Sequence, residues 1–230
     1  MPVLPFIPAD ASANEACRAF ERAGWHLLAT GDWSWVFADP SQAQAVRITP
    51  FDPAYRMFVD FCRAGPANPF LPQIESVLSL QHEGYVVAMA RLFPADDRAA
   101  QSFCRALGIA NESGYAPPQG ASLADPDGNI ADLRERLTSL LAAGAQRFTL
   151  WGGSDIRPGN ILVDGVGQLK LIDPVFVRGK AIVEAITTGK REALRDFSRQ
   201  QLEDFLTIPV FAPGAETDAL RRRVRELIAK

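Results

Sequence analysis

At 230 residues, 47% hydrophobic and 22% charged, the chain has the makings of one folded unit or of two small lobes sharing a cleft. It is too short for several full-sized domains and too apolar for a largely disordered polymer. A formal net charge of -3 supplies no concentrated basic face, so neither nucleic acid nor an anionic membrane is expected as a partner.

Ser12 and Glu15 have the spacing of a capping box and predict a helix closed near Gly24. The apolar runs WHLLAT, WVFA and QAVRI follow, separated by the turn formers Gly31-Asp32 and Asp39-Pro40, which predicts an antiparallel meander over 25–48. In FDPAYRMFVDFCRAG the residues Tyr55, Phe58, Val59 and Cys62 recur at helical spacing between Pro53 and Gly65. IESVLSL and GYVVAMA read as further strands, so the first ninety-odd residues predict a small sheet with one helix packed on it. Beyond them the chain reads as mostly helical. A helix is expected over 94–110, a Gly-, Pro-, Ser- and Asn-rich loop over 111–129, and the strongest helical pattern over 130–143 through Leu133, Leu137, Leu140 and Leu141. Closing helices are expected over 192–206 and 218–228, and the run Arg221 to Arg223 with Arg225 reads as a solvated face.

Cys17, Cys62 and Cys104 lack CxxC or His/Cys ligand spacing and read as ordinary buried thiols. No signal-like start and no bilayer-length apolar run is visible. The expected compartment is therefore a reducing cytoplasm, or a host cell reached by secretion that leaves no hydrophobic signal. His26 and His82 have no neighbouring ligand pattern and are read as structural or merely exposed.

Between the helices lie WGGSDIRPGN and NILVDGVGQLKLID, in which two apolar runs flank the turn 164–167 and predict a hairpin. The residue before the first strand of a hairpin and the residue after the second lie at the same end, which makes Asn160 and Asp173 neighbours. Asp155, in a loop bent by Pro158 and Gly159, is expected to join them. Two carboxylates and an amide suit magnesium, a hard ion held by one or two carboxylates plus substrate phosphates, and leave one carboxylate to accept or orient a hydroxyl proton.

D-I-R-P-G-N-I-L-V-D followed by L-K-L-I-D-P resembles the catalytic and metal-binding segments of the protein-kinase-like superfamily, in which an Asp, four residues, an Asn and a hairpin lead to a second Asp. The resemblance implies an α+β, two-lobed kinase-like fold. Residues 1–92 would form a nucleotide-binding lobe with a small antiparallel sheet and one helix, and residues 93–230 a reduced, mainly helical catalytic lobe. It makes Asp155 the catalytic Asp and Asn160 and Asp173 the metal ligands, with ATP and Mg2+ as cofactors. Arg157 falls where protein kinases place a lysine that meets the transferred phosphate and where aminoglycoside phosphotransferases have histidine. G-D-W-S-W-V-F resembles a glycine-rich loop that retains only Gly31, and A-V-R-I resembles the strand of the phosphate-binding lysine with Arg47 in its place. Asp60 on the following helix is the expected acidic partner of Arg47, with Glu75 as the alternative. GYVVAMARL resembles the strand entering the hinge, with Met89 beside the adenine and backbone groups near Ala90 and Leu92 meeting it.

The implied activity is phosphoryl transfer to a Ser or Thr hydroxyl of a protein target. In size and economy the chain is similar to the HopBF-type bacterial effector kinases, so a host chaperone is an expected substrate and a monomer the expected state. Two alternatives stand beside it, an aminoglycoside-type phosphotransferase and a catalytically silent nucleotide-binding module. Ser154 rather than arginine precedes Asp155, so control by activation-loop phosphorylation is not expected, and Pro174 follows Asp173.

Overall fold

The structure, a computed structural model, describes residues 4–116 and 118–228. Contacts divide the chain into two units interleaved in sequence, one of Met1–Asp52, Ile74–Arg91 and Gly179–Lys230, the other of Pro53–Gln73 and Leu92–Arg178. The break expected at residue 92 is thus one of several points at which the chain passes from one unit to the other.

In the first unit the capping box is complete. The Ser12 hydroxyl accepts from the Glu15 amide at 3.2 Å, and the Glu15 carboxylate accepts from the Ser12 amide at 2.8 Å, opening α1 (Ala13–Arg22). The expected meander forms as β1 (His26–Thr30), β2 (Trp35–Ala38) and β3 (Gln44–Thr49), joined by β4 (Ile74–Ser79) and β5 (Tyr85–Ala90). These make an antiparallel sheet in the order β1-β2-β3-β5-β4. The fold class read from the sequence, α+β with an amino-terminal antiparallel sheet, is the one observed. Ala16, Cys17 and Phe20 of α1 pack with Trp25, Phe37, Val46, Ile48, Val86 and Ala88, each large side chain contributing about 1.5–3 kcal/mol by leaving water. The inner strands β3 and β5 are buried nearly throughout, whereas β1 at the edge is exposed along its whole length.

The carboxy-terminal segment completes this unit. It contains α5 (Gly179–Thr188), a 3-10 turn at Arg191–Leu194, α6 (Arg199–Phe205) and α7 (Ala215–Ile228). The single helix expected over 192–206 is broken because Ser198 and Gln201 form a second capping box that starts a new helix. The Trp33 ring lies tilted at 5.2 Å from Phe205 and 6.4 Å from Phe51, and Phe51 meets Phe197 edge-on at 6.0 Å. Trp33 therefore belongs to an aromatic core.

The second unit is built from α2 (Pro53–Ala64), β6 (Phe93–Pro94), α3 (Asp97–Leu107), α4 (Asn129–Arg147), β7 (Trp151–Ser154), β8 (Ile161–Val163), β9 (Leu169–Leu171) and β10 (Val175–Val177). β6, β8 and β9 form one small sheet, and β7 pairs with β10 in another. Helix α3 is capped by the Asp96 carboxylate, which accepts from the Ala99 amide at 3.0 Å, and ends at Gly108 with φ +60. Helix α4 runs to Arg147, past the expected 143. A Cβ on Gly144 would sit inside the Trp151 ring, so this glycine lets β7 approach the helix closely.

Candidate active site

The β7–β10 ladder sets one side of the site, with Ser154 opposite Val175 and Gly153 opposite Phe176. Both glycines of WGGS are required there. A Cβ on Gly152 would meet the Phe176 ring, and Gly153 has φ +86. The ladder continues one step further, where the Asp155 amide donates to the Pro174 carbonyl at 2.7 Å. Arg157 is extended, and a 3-10 turn over Pro158–Asn160 folds the chain back, the Asn160 amide donating to the Arg157 carbonyl at 2.9 Å. The predicted hairpin then forms in the register Ile161 opposite Leu171 and Val163 opposite Leu169. The Ile172 amide donates to the Asn160 carbonyl at 3.0 Å, so Asp173 leaves the hairpin beside Asn160.

Asn160, 7% exposed, ties the three segments together through one amide. Its Nδ2 donates to the Asp155 carbonyl at 2.8 Å, to Asp155 Oδ2 at 3.0 Å and to the Asp173 carbonyl at 2.8 Å. Arg157 Nε lies 3.2 Å from the same Asp155 Oδ2, although the arginine side chain is largely exposed. Asp155 Oδ1 is enclosed and has no hydrogen-bond partner. A buried carboxylate oxygen without a donor is unfavourable.

With Nδ2 donating to Asp155 and to the Asp173 carbonyl, the Asn160 amide oxygen is the side-chain oxygen left at the hairpin base, where Asp173 follows β9. Among the described residues there is no group of three or more His, Cys, Asp or Glu that could hold a metal. The expected donor pair, one carboxylate and one amide oxygen, suits a hard ion that keeps water and takes the rest of its shell from phosphates, as Mg2+ does, and suits poorly a closed cage of the zinc kind. The cysteines offer no alternative chemistry. Burial pushes the Cys17 and Cys62 thiols up to about 12 and Cys104 to about 11, so the thiolate nucleophile is scarce at neutral pH.

The remaining expected site residues are placed as follows. Arg47, central in β3 opposite Val36 and Val87, pairs with Asp52 at 2.9 Å, both side chains about nine-tenths buried. This corrects both expected partners. Asp60 is one turn from Arg56 on α2 and is held by it at 3.3 Å on an exposed face, while Glu75 accepts from Gln44 Nε2. Gly31 opens the β1–β2 turn, its amide donating to the Ser34 carbonyl at 2.9 Å, and a Cβ there would make only ordinary contacts at 3.8 Å or more. Met89 is buried on β5 opposite Ala45 and Ile74, and Ala90, opposite Gln44, ends the strand exposed. Leu92 is half-buried and follows Arg91, whose amide donates to the Ala43 carbonyl at 2.9 Å.

Sequence reasoning missed Asn111 and Glu112, which bind the backbone on both sides of Asp155. Asn111 Nδ2 donates to the Ile156 carbonyl at 2.8 Å, and the Glu112 amide donates to the Ser154 carbonyl at 2.9 Å. Their composition marks them only as loop.

No protein-family model matches the chain, and no curated protein matches it. Among solved structures, the chain is similar to an aminoglycoside phosphotransferase from Streptomyces rimosus, with 14% identity over 94% of this chain and 99% of that one and a TM-score of 0.37. It is also similar to the CAK complex from Chaetomium thermophilum bound to ATP-gamma-S, at 14% identity, 93% and 71% coverage and a TM-score of 0.36. A thermostable mutant of a second aminoglycoside phosphotransferase, in complex with ADP and hygromycin B, gives 13%, 89% and 86%, with a TM-score of 0.33. At these identities and scores nothing about this chain's chemistry follows from the likeness.

Proposed function

We propose that the protein is an ATP- and Mg2+-dependent phosphotransferase acting on a hydroxyl, with Asp155, Asn160 and Asp173 at its centre. The observation that carries this reading is the Asn160 amide, which joins the Asp155 carboxylate to the backbone of Asp173 at 2.8–3.0 Å. Asp155 orients the acceptor through its carboxylate, whose Oδ2 is fixed by Asn160 and Arg157. In the step itself the acceptor oxygen bonds to the γ-phosphorus, the bond from that phosphorus to the β–γ bridging oxygen breaks, ADP departs, and the hydroxyl proton passes to Asp155. Asn160 and Asp173 would hold magnesium, which when bound neutralises phosphate charge. Fixed orientation of the acceptor accounts for much of the acceleration expected.

For the acceptor we favour a protein Ser or Thr hydroxyl over a cationic aminoglycoside, because Arg157 places a guanidinium beside Asp155, where it attracts phosphate and repels a polyamine. The basic residues after the hairpin add little to this choice, since Lys190 pairs with Glu184 and Arg195 with Glu192 and Asp196. A host chaperone remains a candidate target, and a monomer the expected state. Incubation with γ-labelled ATP and magnesium, in separate reactions with a proteome-scale protein mixture and with an aminoglycoside panel, tests the assignment. Label on protein hydroxyls supports it, label on aminoglycosides transfers the assignment to small-molecule acceptors, and ATP binding without label in any acceptor or in phosphate points to a silent module.

A further inference from the structure

A segment with no part in the expected chemistry is fastened to the chain on both sides of Asp155. The Glu112 amide donates to the carbonyl of Ser154, the residue before it, at 2.9 Å. Asn111 Nδ2 donates to the carbonyl of Ile156, the residue after it, at 2.8 Å. The contact is close, because Gly153, at φ +86, has no Cβ and one there would run into the Glu112 side chain. Asn111 also shapes the strap through its other amide atom. Its Oδ1 accepts from the Ser113 amide at 2.8 Å, the Ser113 hydroxyl at 2.5 Å and the Tyr115 amide at 3.3 Å. One side chain thus folds residues 111–115 and clips the folded loop to the Asp155 segment. On the opposite side Asp155 has the Pro174 carbonyl as its backbone anchor. Without the clip, the orientation of its carboxylate would depend on that bond, Asn160 and Arg157, the last of these largely exposed.

We propose that Asn111 is a positioning residue for Asp155, and that the 111–115 strap sets the orientation of the carboxylate that receives the acceptor hydroxyl. The inference deepens the phosphotransferase reading and rests on it for its kinetic consequence. Its geometric content, the hold on residues 154–157, is measurable without any turnover.

Asn111→Asp separates the two jobs of the side chain. It keeps an oxygen to accept from Ser113 and Tyr115 but has no hydrogen to give the Ile156 carbonyl. Asn111→Ala removes both. Hydrogen exchange of the backbone amides of 154–157, together with kcat and KM for ATP turnover, is compared for wild type and the two variants. The expected result is exchange at 154–157 about tenfold faster in both variants, with kcat lowered roughly 10- to 100-fold at an unchanged KM for ATP, since small misplacements of a reacting group carry losses of that order. Exchange and kcat at wild-type levels in Asn111→Asp would overturn the proposal, because the side chain would then serve only its own turn. Faster exchange with kcat intact would overturn it as well. Faster exchange in a protein whose wild type turns over no ATP would overturn the phosphotransferase reading and leave the strap's hold on Asp155 supported.

Discussion

Asp204 on α6 is a buried carboxylate with one oxygen served and one not. Its Oδ1 accepts from Gln200 Nε2 at 3.0 Å, while Oδ2 is enclosed and has no donor. Burial pushes its pKa above the usual carboxylate value, more than the Gln200 hydrogen bond and the nearby His82 lower it, and Glu83 and Glu203 add to the rise. A carboxyl whose folded pKa lies above its unfolded one favours the folded state when protonated. This contribution is lost as pH rises from the acid range through the raised folded value. Asp204→Asn removes the buried charge. Urea titration is expected to find the variant more stable than wild type by about 1 kcal/mol at neutral pH, with the difference shrinking as the pH falls through the carboxylate range. A difference that grows on acidification would contradict the assignment. Arg47 teaches a related lesson about partners. It pairs with Asp52, five residues on and across a turn, and nothing in the spacing of Asp52, Asp60 and Glu75 says which of these three the side chain reaches.

Elements held by local rules were legible. The Ser12–Glu15 box, the meander over β1–β3, and the hairpin of β8 and β9 follow from caps, alternation and a turn within a few residues, and each forms where expected. The hairpin brings Asn160 to the backbone of Asp173, which is why that juxtaposition could be read ahead of its geometry. The β7–β10 pair could not. WGGS has the composition of a turn, and it becomes a strand because VFV, more than twenty residues on, pairs with it and lays Phe176 over Gly152. Helix α5 was hidden in the same way, in a segment whose Val and Ile residues are as suited to a strand as to the helix they form. The glycines of these elements are accordingly unequal. Gly144→Ala drives a methyl into the Trp151 ring and is expected to cost about 1–3 kcal/mol, the range for overpacking, whereas Gly31→Ala meets nothing closer than 3.8 Å and is expected to change stability by less than about 0.5 kcal/mol. Equal denaturation midpoints for the two variants would contradict this account.

At the scale of the whole molecule, the chain returns after residue 178 to complete the unit that holds its first strands. Phe197 and Phe205 pack with Phe51 and Trp33, the Gln201 side chain donates to Glu83, and the Val210 amide donates to the Asp32 carbonyl. The β1–β2 turn that resembles a glycine-rich lid is therefore tied to the carboxy-terminal segment. Ending the chain after Arg178 is expected to shift tryptophan emission to the red as Trp33 gains water, and to abolish the cooperative unfolding of this unit. Unchanged emission and cooperativity would show that the segment is dispensable. The central claim concerns the other unit, where Asp155, Asn160 and Asp173 meet. Its most direct test is magnesium-dependent ATP binding measured beside phosphate transfer in wild type, Asp155→Ala and Asp173→Ala. The account predicts that Asp155→Ala binds ATP as wild type does and transfers no phosphate, while Asp173→Ala loses the magnesium-dependent part of binding. Transfer by Asp155→Ala at the wild-type rate, or full magnesium-dependent binding by Asp173→Ala, would contradict it.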